Sequence, residues 1–367
     1  MKNNTGNRLL PLEMIGHSVN DIPTPALIVD LFALKSNIAA MQALVSGYGK
    51  ALRPHVKTHK CSVVANLQMS AGAIGVTCAT VGEAEAMAAA GVRDILIANQ
   101  VVTPDKLERI VRILEISDAK FVVDSLHGIN VAESVASKHG CVFEVLVEVN
   151  TGGNRCGVQS VEESVALVQR IRSSRSLRFG GIQAYYGGTC YINDIAERER
   201  AVSVSDTGLG KVLDAIHQVI DIPRVSGAGT GNANFHLQNG LLTEIQAGSY
   251  VYLDTIYQVL APEYKQALFV LSTVLSQPMG ERVVLDAGLK SMGTEFSGPE
   301  LVRFPHLKDY TFSEEHLQWQ TNQGPFPKIG EKVMLIPSHC CTTVNLHQRC
   351  FVVQDDKIVD VWEIDAF

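Results

Sequence analysis

The sequence predicts an α/β protein: a TIM-like (β/α)8 barrel joined to a second, mostly β domain. Three observations carry the prediction. Between residues 51 and about 250, short apolar runs alternate with amphipathic stretches, the mark of βα units on a parallel sheet. There are about eight such units, and eight is the number that closes a barrel. After residue 260 apolar runs persist, but few helices separate them. An open, doubly wound sheet is the competing architecture.

The elements follow in order. Residues 24–30 (Thr24-Pro25-Ala26-Leu27-Ile28-Val29-Asp30) read as a strand ahead of the barrel, and 31–48 as the helix that leads into it. Barrel strands are expected at 51–56, 73–79, 94–98, 119–124, 143–149, 179–185, 222–227 and 243–248. Short apolar runs bounded by turn residues suit buried strands. Helices are expected between them at 82–91, 104–115, 126–138, 160–173 and around 195–219. Beyond them, runs at 267–271, 282–285, 331–336 and 350–353 read as strands of the β domain, which also takes the N-terminal strand. The expected division is a barrel over 31–258 and a β domain made of 1–30 plus 259–367.

Bulk composition narrows the function. Hydrophobic residues make up 46% and charged residues 19%, an ordinary profile with ample material for a core. Net charge is −7 with scattered basic residues, which argues against a nucleic-acid partner. No apolar run reaches membrane-spanning length, so no membrane partner is expected. The polar stretch 1–8 has no apolar segment behind it, so no signal peptide is expected. The eight cysteines lack framework spacing and read as reduced thiols of a cytoplasmic protein.

The chemistry concentrates first in Arg53-Pro54-His55-Val56-Lys57-Thr58-His59-Lys60. On a strand end, His55, Lys57 and His59 would face one way and Lys60 the other. Burying a lysine there is costly, and lysine is the residue that forms Schiff bases with aldehydes. The plain alternative is a surface lysine at a strand–loop junction.

Active sites of barrels lie at the C-terminal strand ends, and phosphates often bind the loops after strands seven and eight. Strand seven runs into Gly227-Ala228-Gly229-Thr230-Gly231, and strand eight into Gln246-Ala247-Gly248-Ser249-Tyr250. Glycines let backbone N–H groups approach an anion, while Thr230, Ser249 and Tyr250 add hydroxyls. In a closed barrel strand one lies beside strand eight, so Lys57 would reach an aldehyde whose phosphate sits in these loops. The first glycine-rich loop is not a dinucleotide fingerprint.

Near the end stands Pro337-Ser338-His339-Cys340-Cys341. If the segment is extended, His339 and Cys341 share a face and Cys340 points away. Imidazole and thiolate together suit Zn²⁺. A buried cysteine beside a structural histidine is the plain alternative. His347 and the Glu314-Glu315-His316 cluster read as surface or structural.

From about residue 22 onward the chain resembles the fold-type III pyridoxal-phosphate enzymes of the D-serine dehydratase and D-threonine aldolase group. Residues 53–60, Thr151-Gly152-Gly153-Asn154-Arg155-Cys156-Gly157, Gly181-Ile182-Gln183-Ala184-Tyr185, 227–231 and 339–341 carry the resemblance. It implies an alanine-racemase-type barrel binding pyridoxal 5'-phosphate, a β domain with a metal pair, and a homodimer. It further implies Lys57 as the Schiff-base lysine and Arg155 at the cofactor's phenolic oxygen. Gln183 and Tyr185 would line the ring, and Thr230, Gly231, Gly248, Ser249 and Tyr250 would hold the phosphate. Gln246 stands where alanine racemases place an arginine at the pyridine nitrogen; a neutral amide there is expected to weaken the electron sink. His339 and Cys341 match the metal pair, with Zn²⁺ favoured and Mn²⁺, Mg²⁺ or Co²⁺ as alternatives.

Two lyase reactions share this scaffold. The aldolases typically carry H-x-D as the metal pair and a histidine pair after the strand-six tyrosine. Here the metal pair is His339/Cys341 and the segment is Tyr185-Tyr186-Gly187-Gly188-Thr189-Cys190-Tyr191, without histidine. The expected activity is therefore a metal-assisted dehydratase of a D-β-hydroxy amino acid such as D-serine, D-threonine or 3-hydroxyaspartate. The alternative is an aldolase releasing glycine and an aldehyde, to which Asp286-Ala287-Gly288-Leu289-Lys290 is similar. A barrel that only binds the cofactor would lack the β domain, and a racemase needs no metal.

Overall fold

The computed structural model describes residues 11–278, 282–296, 298–320 and 325–366. The polar stretch 1–8 discussed above lies outside the described residues. The chain divides into two units. One draws its described residues from Met1–Asn37, Val251–Gln258 and Tyr264–Ile364, and the other from Ile38–Tyr250, Val259–Glu263 and Asp365–Phe367.

Strand β1 (Ala26–Asp30) and helix α1 (Leu31–Gly47) come first. The barrel unit then alternates β2 (Ala51–Leu52), α2 (Ser62–Ser70), β3 (Val76–Cys78), α3 (Val81–Ala89), β4 (Asp94–Gln100) and α4 (Pro104–Ile113). It continues with β5 (Asp118–Val123), α5 (Leu126–His139), β6 (Phe143–Val149), α6 (Val161–Arg172), β7 (Leu177–Ala184), α7 (Ile195–His217), β8 (Val225–Gly227), α8 (Ala233–Asn239) and β9 (Glu244–Ile245). Each of the eight expected barrel strands is present. All pairings along the ladder β2-β9-β8-β7-β6-β5-β4-β3 are parallel. The two ends meet through a parallel bridge between His55 and Thr77, with Ile74 N donating to Leu52 O at 3.0 Å and Thr77 N to Pro54 O at 2.9 Å. The sheet thus curls into the expected barrel.

Local chemistry explains the elements. Every residue of β6 is buried, as expected of a parallel strand covered on both faces. Thr80, Ser125, Ser160 and Asp194 cap α3, α5, α6 and α7, each side chain accepting from a backbone N–H in the first turn. Such a cap contributes about 1 kcal/mol. Gly140 closes α5 at φ 63°, in the left-handed region that glycine enters without penalty.

The N-terminal end of the barrel is plugged by ion pairs. Arg53, 1% exposed, donates to Glu244 Oε1 at 3.0 Å and to Asp94 Oδ1 at 2.5 Å. Lys120, fully buried, donates to the same Asp94 oxygen at 2.7 Å. Glu144 accepts from Arg178 at 2.6 Å and also from Arg224. Burial alone would raise the Asp94 carboxyl, but Arg53 and Lys120 outweigh it and hold it below the usual range. Glu144 is likewise held down, by Arg224 and Arg178, against the effect of burial.

The other unit is built on antiparallel pairing. Its later elements are α9 (Tyr257–Leu260, shared between the units), β10 (Leu268–Ser276), β11 (Arg282–Leu285), β12 (Glu300–Leu301), β13 (Tyr310–Phe312), β14 (Leu317–Gln320), β15 (Lys332–Ile336), α10 (Cys340–Val344), β16 (Arg349–Gln354) and β17 (Lys357–Glu363). Strand β1 lies between β10, antiparallel, and β16, parallel. Ile28, Leu271, Phe351 and Val361 pack into its core.

Candidate active site

A turn presents Lys57, not a strand. Proline has no N–H to give a ladder, and β2 stops at Leu52, two residues before Pro54. His55 then caps a 3-10 turn over Val56–Thr58, its Nδ1 accepting from Lys57 N at 3.4 Å. The strand alternation expected to aim His55, Lys57 and His59 one way therefore does not hold. His55 and His59 are buried and Lys57 is half-buried. The His55 imidazole sits well below its ordinary range, through burial first and the Lys57 charge second.

A cavity of about 240 Å³ opens beside this turn, and Lys57, Arg155, Gln183, Tyr185 and Gln246 all line it, together with His55. The Lys57 ammonium stands 5.8 Å from the centre of the Tyr185 ring and the Arg155 guanidinium 5.5 Å. Both cations thus lie within cation–π reach of one aromatic ring. Beneath them, Gln246 Nε2 donates to Gln183 Oε1 at 3.2 Å and to Ser226 Oγ at 2.7 Å. Gln183 is the cross-strand neighbour of Glu148, which accepts from Gln100. Burial raises the Glu148 carboxyl above its usual range, against the two amide donors and the Arg155 charge.

The five residues expected at the phosphate stand apart from that lining, yet they are joined to one another and to the Lys57 turn. Tyr250 N donates to Thr230 Oγ1 at 3.0 Å, which ties the loops after β8 and β9 together. A Cβ on Gly248 would come within 2.5 Å of Thr58 Oγ1, and one on Gly231 within 2.2 Å of Cys190 O. Both glycines are therefore required by close packing. Thr230 and Ser249 are each 7% exposed, and the Tyr250 hydroxyl accepts from Gln68 at 2.9 Å. Tyr186, beside the segment that lacks histidine, packs its ring against Gly152 and Gly153.

This donor set fits pyridoxal phosphate: an amine for the aldehyde, a guanidinium and a tyrosine ring on one cavity, amides at its floor, and hydroxyl-bearing glycine loops beside the amine-bearing turn.

In the other unit, His339, Cys340 and Cys341 bring their donor atoms within 4.8 Å of one another. Asp254 positions this group, accepting at one oxygen from His339 Nδ1 and from Cys340 N, each at 2.9 Å. His339 also hydrogen-bonds Cys341. Asp254 and Cys341 outweigh burial and push the imidazole up to about 10. A carboxylate on one ring nitrogen leaves the other for a metal, which suits a cation site. Cys340 does not point away as expected. His339 is extended, but helix α10 starts at the next residue, and the shorter rise turns the Cys340 sulfur to 4.0 Å from that of Cys341.

Asp254, Glu148 and Gln100 escaped the sequence reading. The site residues they meet lie between 35 and 86 residues away in the chain, so no local pattern signals them.

Residues 29–255 match the family model "Alanine racemase, N-terminal domain", and residues 267–353 match "Putative serine dehydratase domain". The chain is 35% identical to a D-threonine aldolase from Arthrobacter sp, over 98% of this chain and 97% of that one. It is 33% identical to a D-threo-3-hydroxyaspartate dehydratase from Delftia sp. (strain HT23), over 93% and 97%. Among solved structures it is similar to D-threonine aldolase from Filomicrobium marinum, with a TM-score of 0.93 and 32% identity over 96% of this chain and 98% of that one. Two matching domains in the right order, a barrel with its lysine turn and a full-length likeness to lyases place this chain in the alanine-racemase-like, fold-type III family of pyridoxal-phosphate enzymes that holds the D-threonine aldolases and D-serine dehydratases.

Proposed function

We propose that this lyase eliminates water from a D-β-hydroxy amino acid, such as D-serine, D-threonine or 3-hydroxyaspartate, and releases a 2-oxo acid and ammonia. The observation that carries the reading is the acid–base inventory around the cavity. Lys57 is there, His55 is held neutral by burial, and the segment after β7 offers Tyr186 packed on glycines where aldolases of the group carry histidine. Elimination needs a base at Cα, which the Lys57 amine supplies. Retro-aldol cleavage needs a second base at the β-hydroxyl.

Bound pyridoxal phosphate supplies an electron sink for the Cα carbanion, and a bound divalent cation supplies Lewis acidity at the β-oxygen. Lys57 would hold the cofactor's aldehyde, and its amine is the base placed to take the Cα proton. Arg155 would set a positive charge beside the ring's phenolic oxygen, Tyr185 and Gln183 would bound the ring, and Thr230, Gly231, Gly248, Ser249 and Tyr250 would hold the phosphate. His339 and Cys341 hold the cation, and their imidazole–thiolate character favours Zn²⁺ over Mn²⁺, Mg²⁺ or Co²⁺. The eight free thiols support a reducing, cytoplasmic setting, and the family resemblance supports a homodimer.

Aldol cleavage is the second reading, favoured by the 35% identity and the 0.93 TM-score to D-threonine aldolases. Product analysis on D-serine, D-threonine and D-threo-3-hydroxyaspartate separates them. Oxo acid plus ammonia is the expected outcome; glycine plus an aldehyde, without oxo acid, overturns elimination.

A further inference from the structure

One line of polar side chains crosses the C-terminal mouth of the barrel. Gln100 ends β4, Glu148 stands near the end of β6, Gln183 near the end of β7, and Gln246 just past β9. Glu148, Gln183 and Gln246 are 4%, 1% and 4% exposed. Groups this deeply buried have to pair each donor with an acceptor.

That requirement fixes the direction. A carboxylate only accepts. Gln100 therefore turns its amide nitrogen toward Glu148, and Gln183, the cross-strand neighbour of Glu148 on β7, does the same. Gln183 must then turn its oxygen the other way, where Gln246 Nε2 meets it at 3.2 Å. The second proton of the same nitrogen goes to Ser226 Oγ at 2.7 Å. Both N–H bonds of Gln246 are thereby used, and Gln246 lines the cavity with its carbonyl oxygen left over. Reversing Gln246 would set two amide oxygens against each other.

We propose that Glu148 is a positioning residue: through Gln183 it locks Gln246 with its carbonyl as the group offered to the cofactor's ring nitrogen, so that this chain selects the protonated ring. The proposal rests on the reading of the cavity as the cofactor pocket with Gln246 at the ring nitrogen. An unprotonated pyridine nitrogen only accepts and would face another acceptor; the protonated one donates and completes the line. The neutral amide therefore does not weaken the electron sink, contrary to what its chemistry taken alone suggests. It makes the ring a stronger acceptor of the Cα electrons, and the charge responsible is the carboxylate two amides away.

The test is nitrogen NMR of the holoenzyme reloaded with pyridoxal phosphate labelled with ¹⁵N in the ring. The wild-type signal is expected at the upfield position of a pyridinium. Glu148→Met, which removes the acceptor and keeps the bulk, is expected to move it downfield toward unprotonated pyridine, and so is Gln246→Met. A role in packing alone would not move this signal while cofactor stays bound. A downfield wild-type signal overturns the proposal without any variant, so it survives a Glu148→Met protein that fails to fold. An upfield signal unchanged in folded, loaded Glu148→Met also overturns it. If Lys57 binds the cofactor and only the nitrogen is unprotonated, the pocket reading stands and the relay falls. Wild-type protein that takes up no cofactor overturns the pocket reading and the relay together.

Discussion

The two ends of the barrel handle buried polarity in opposite ways. At the N-terminal end, Arg53, Asp94, Lys120 and Glu244 pair charge with charge. At the C-terminal end, Glu148 spends its charge on two amides, and Lys57 and Arg155 face a tyrosine ring across a cavity. Groups that satisfy one another hold a fold; groups left aiming into a space wait for something to bind. Substitutions should separate the ends cleanly. Cavity residues should cost activity and leave stability, and plug residues should do the reverse.

The largest effect is expected from Lys57→Ala. It should lower turnover by at least about 10³-fold, in the upper range for removing a positioned base, and abolish the visible cofactor band, while the Tm stays near wild type. Absorbance and thermal melting on one preparation check this; a visible band in the variant would remove the lysine assignment. Glu244→Ala should do the opposite. It takes from Arg53, which is 1% exposed, one of its two carboxylate partners and leaves only Asp94, and breaking such a buried pair costs up to about 3–5 kcal/mol. Denaturant melts should show the loss, with kcat of the remaining folded enzyme largely kept.

A smaller effect carries the contrast to the other unit. Asp254→Asn should weaken Zn²⁺ binding by about 10- to 100-fold, because the carboxylate that orients His339 is lost. Competition against a chromogenic chelator reads this directly, and unchanged affinity would deny Asp254 that role.

The smallest effect is one of pH. Asp94 and Glu144 have folded-state pKa values below their ordinary ones. Their contribution is therefore fully present above the unfolded carboxylate range, about pH 4, and is lost as pH falls through the lower folded values. The Tm should hold between pH 7 and 5 and decline below about 4. Glu144→Gln should flatten part of that decline; an identical profile would mean the plug carries no acid sensitivity.

The apolar runs of the barrel strands were legible because burial on both faces leaves a continuous pattern, as in Phe143–Val149. Lys57 and the His339/Cys341 pair stood out as candidates only through the motifs that accompany them, since a lone lysine or a lone H-x-C is a weak signal. The shape of the lysine segment was not, since Pro54 replaces a strand by a turn and the periodic argument fails at that point. The side on which Cys340 falls was also hidden, because one residue decides between extended chain and helix. Glu148, Gln183 and Gln246 lie on separate strands, and only the closed sheet brings them into line.

The placement of β1 bears on how this molecule is made. Residues 26–30 are synthesised long before their partners: Leu27–Asp30 pair with Cys350–Val353, and Lys60 O accepts from Asp365 N and Ala366 N. A chain stopped short of residue 350 would leave one side of β1 an unmated edge open to aggregation.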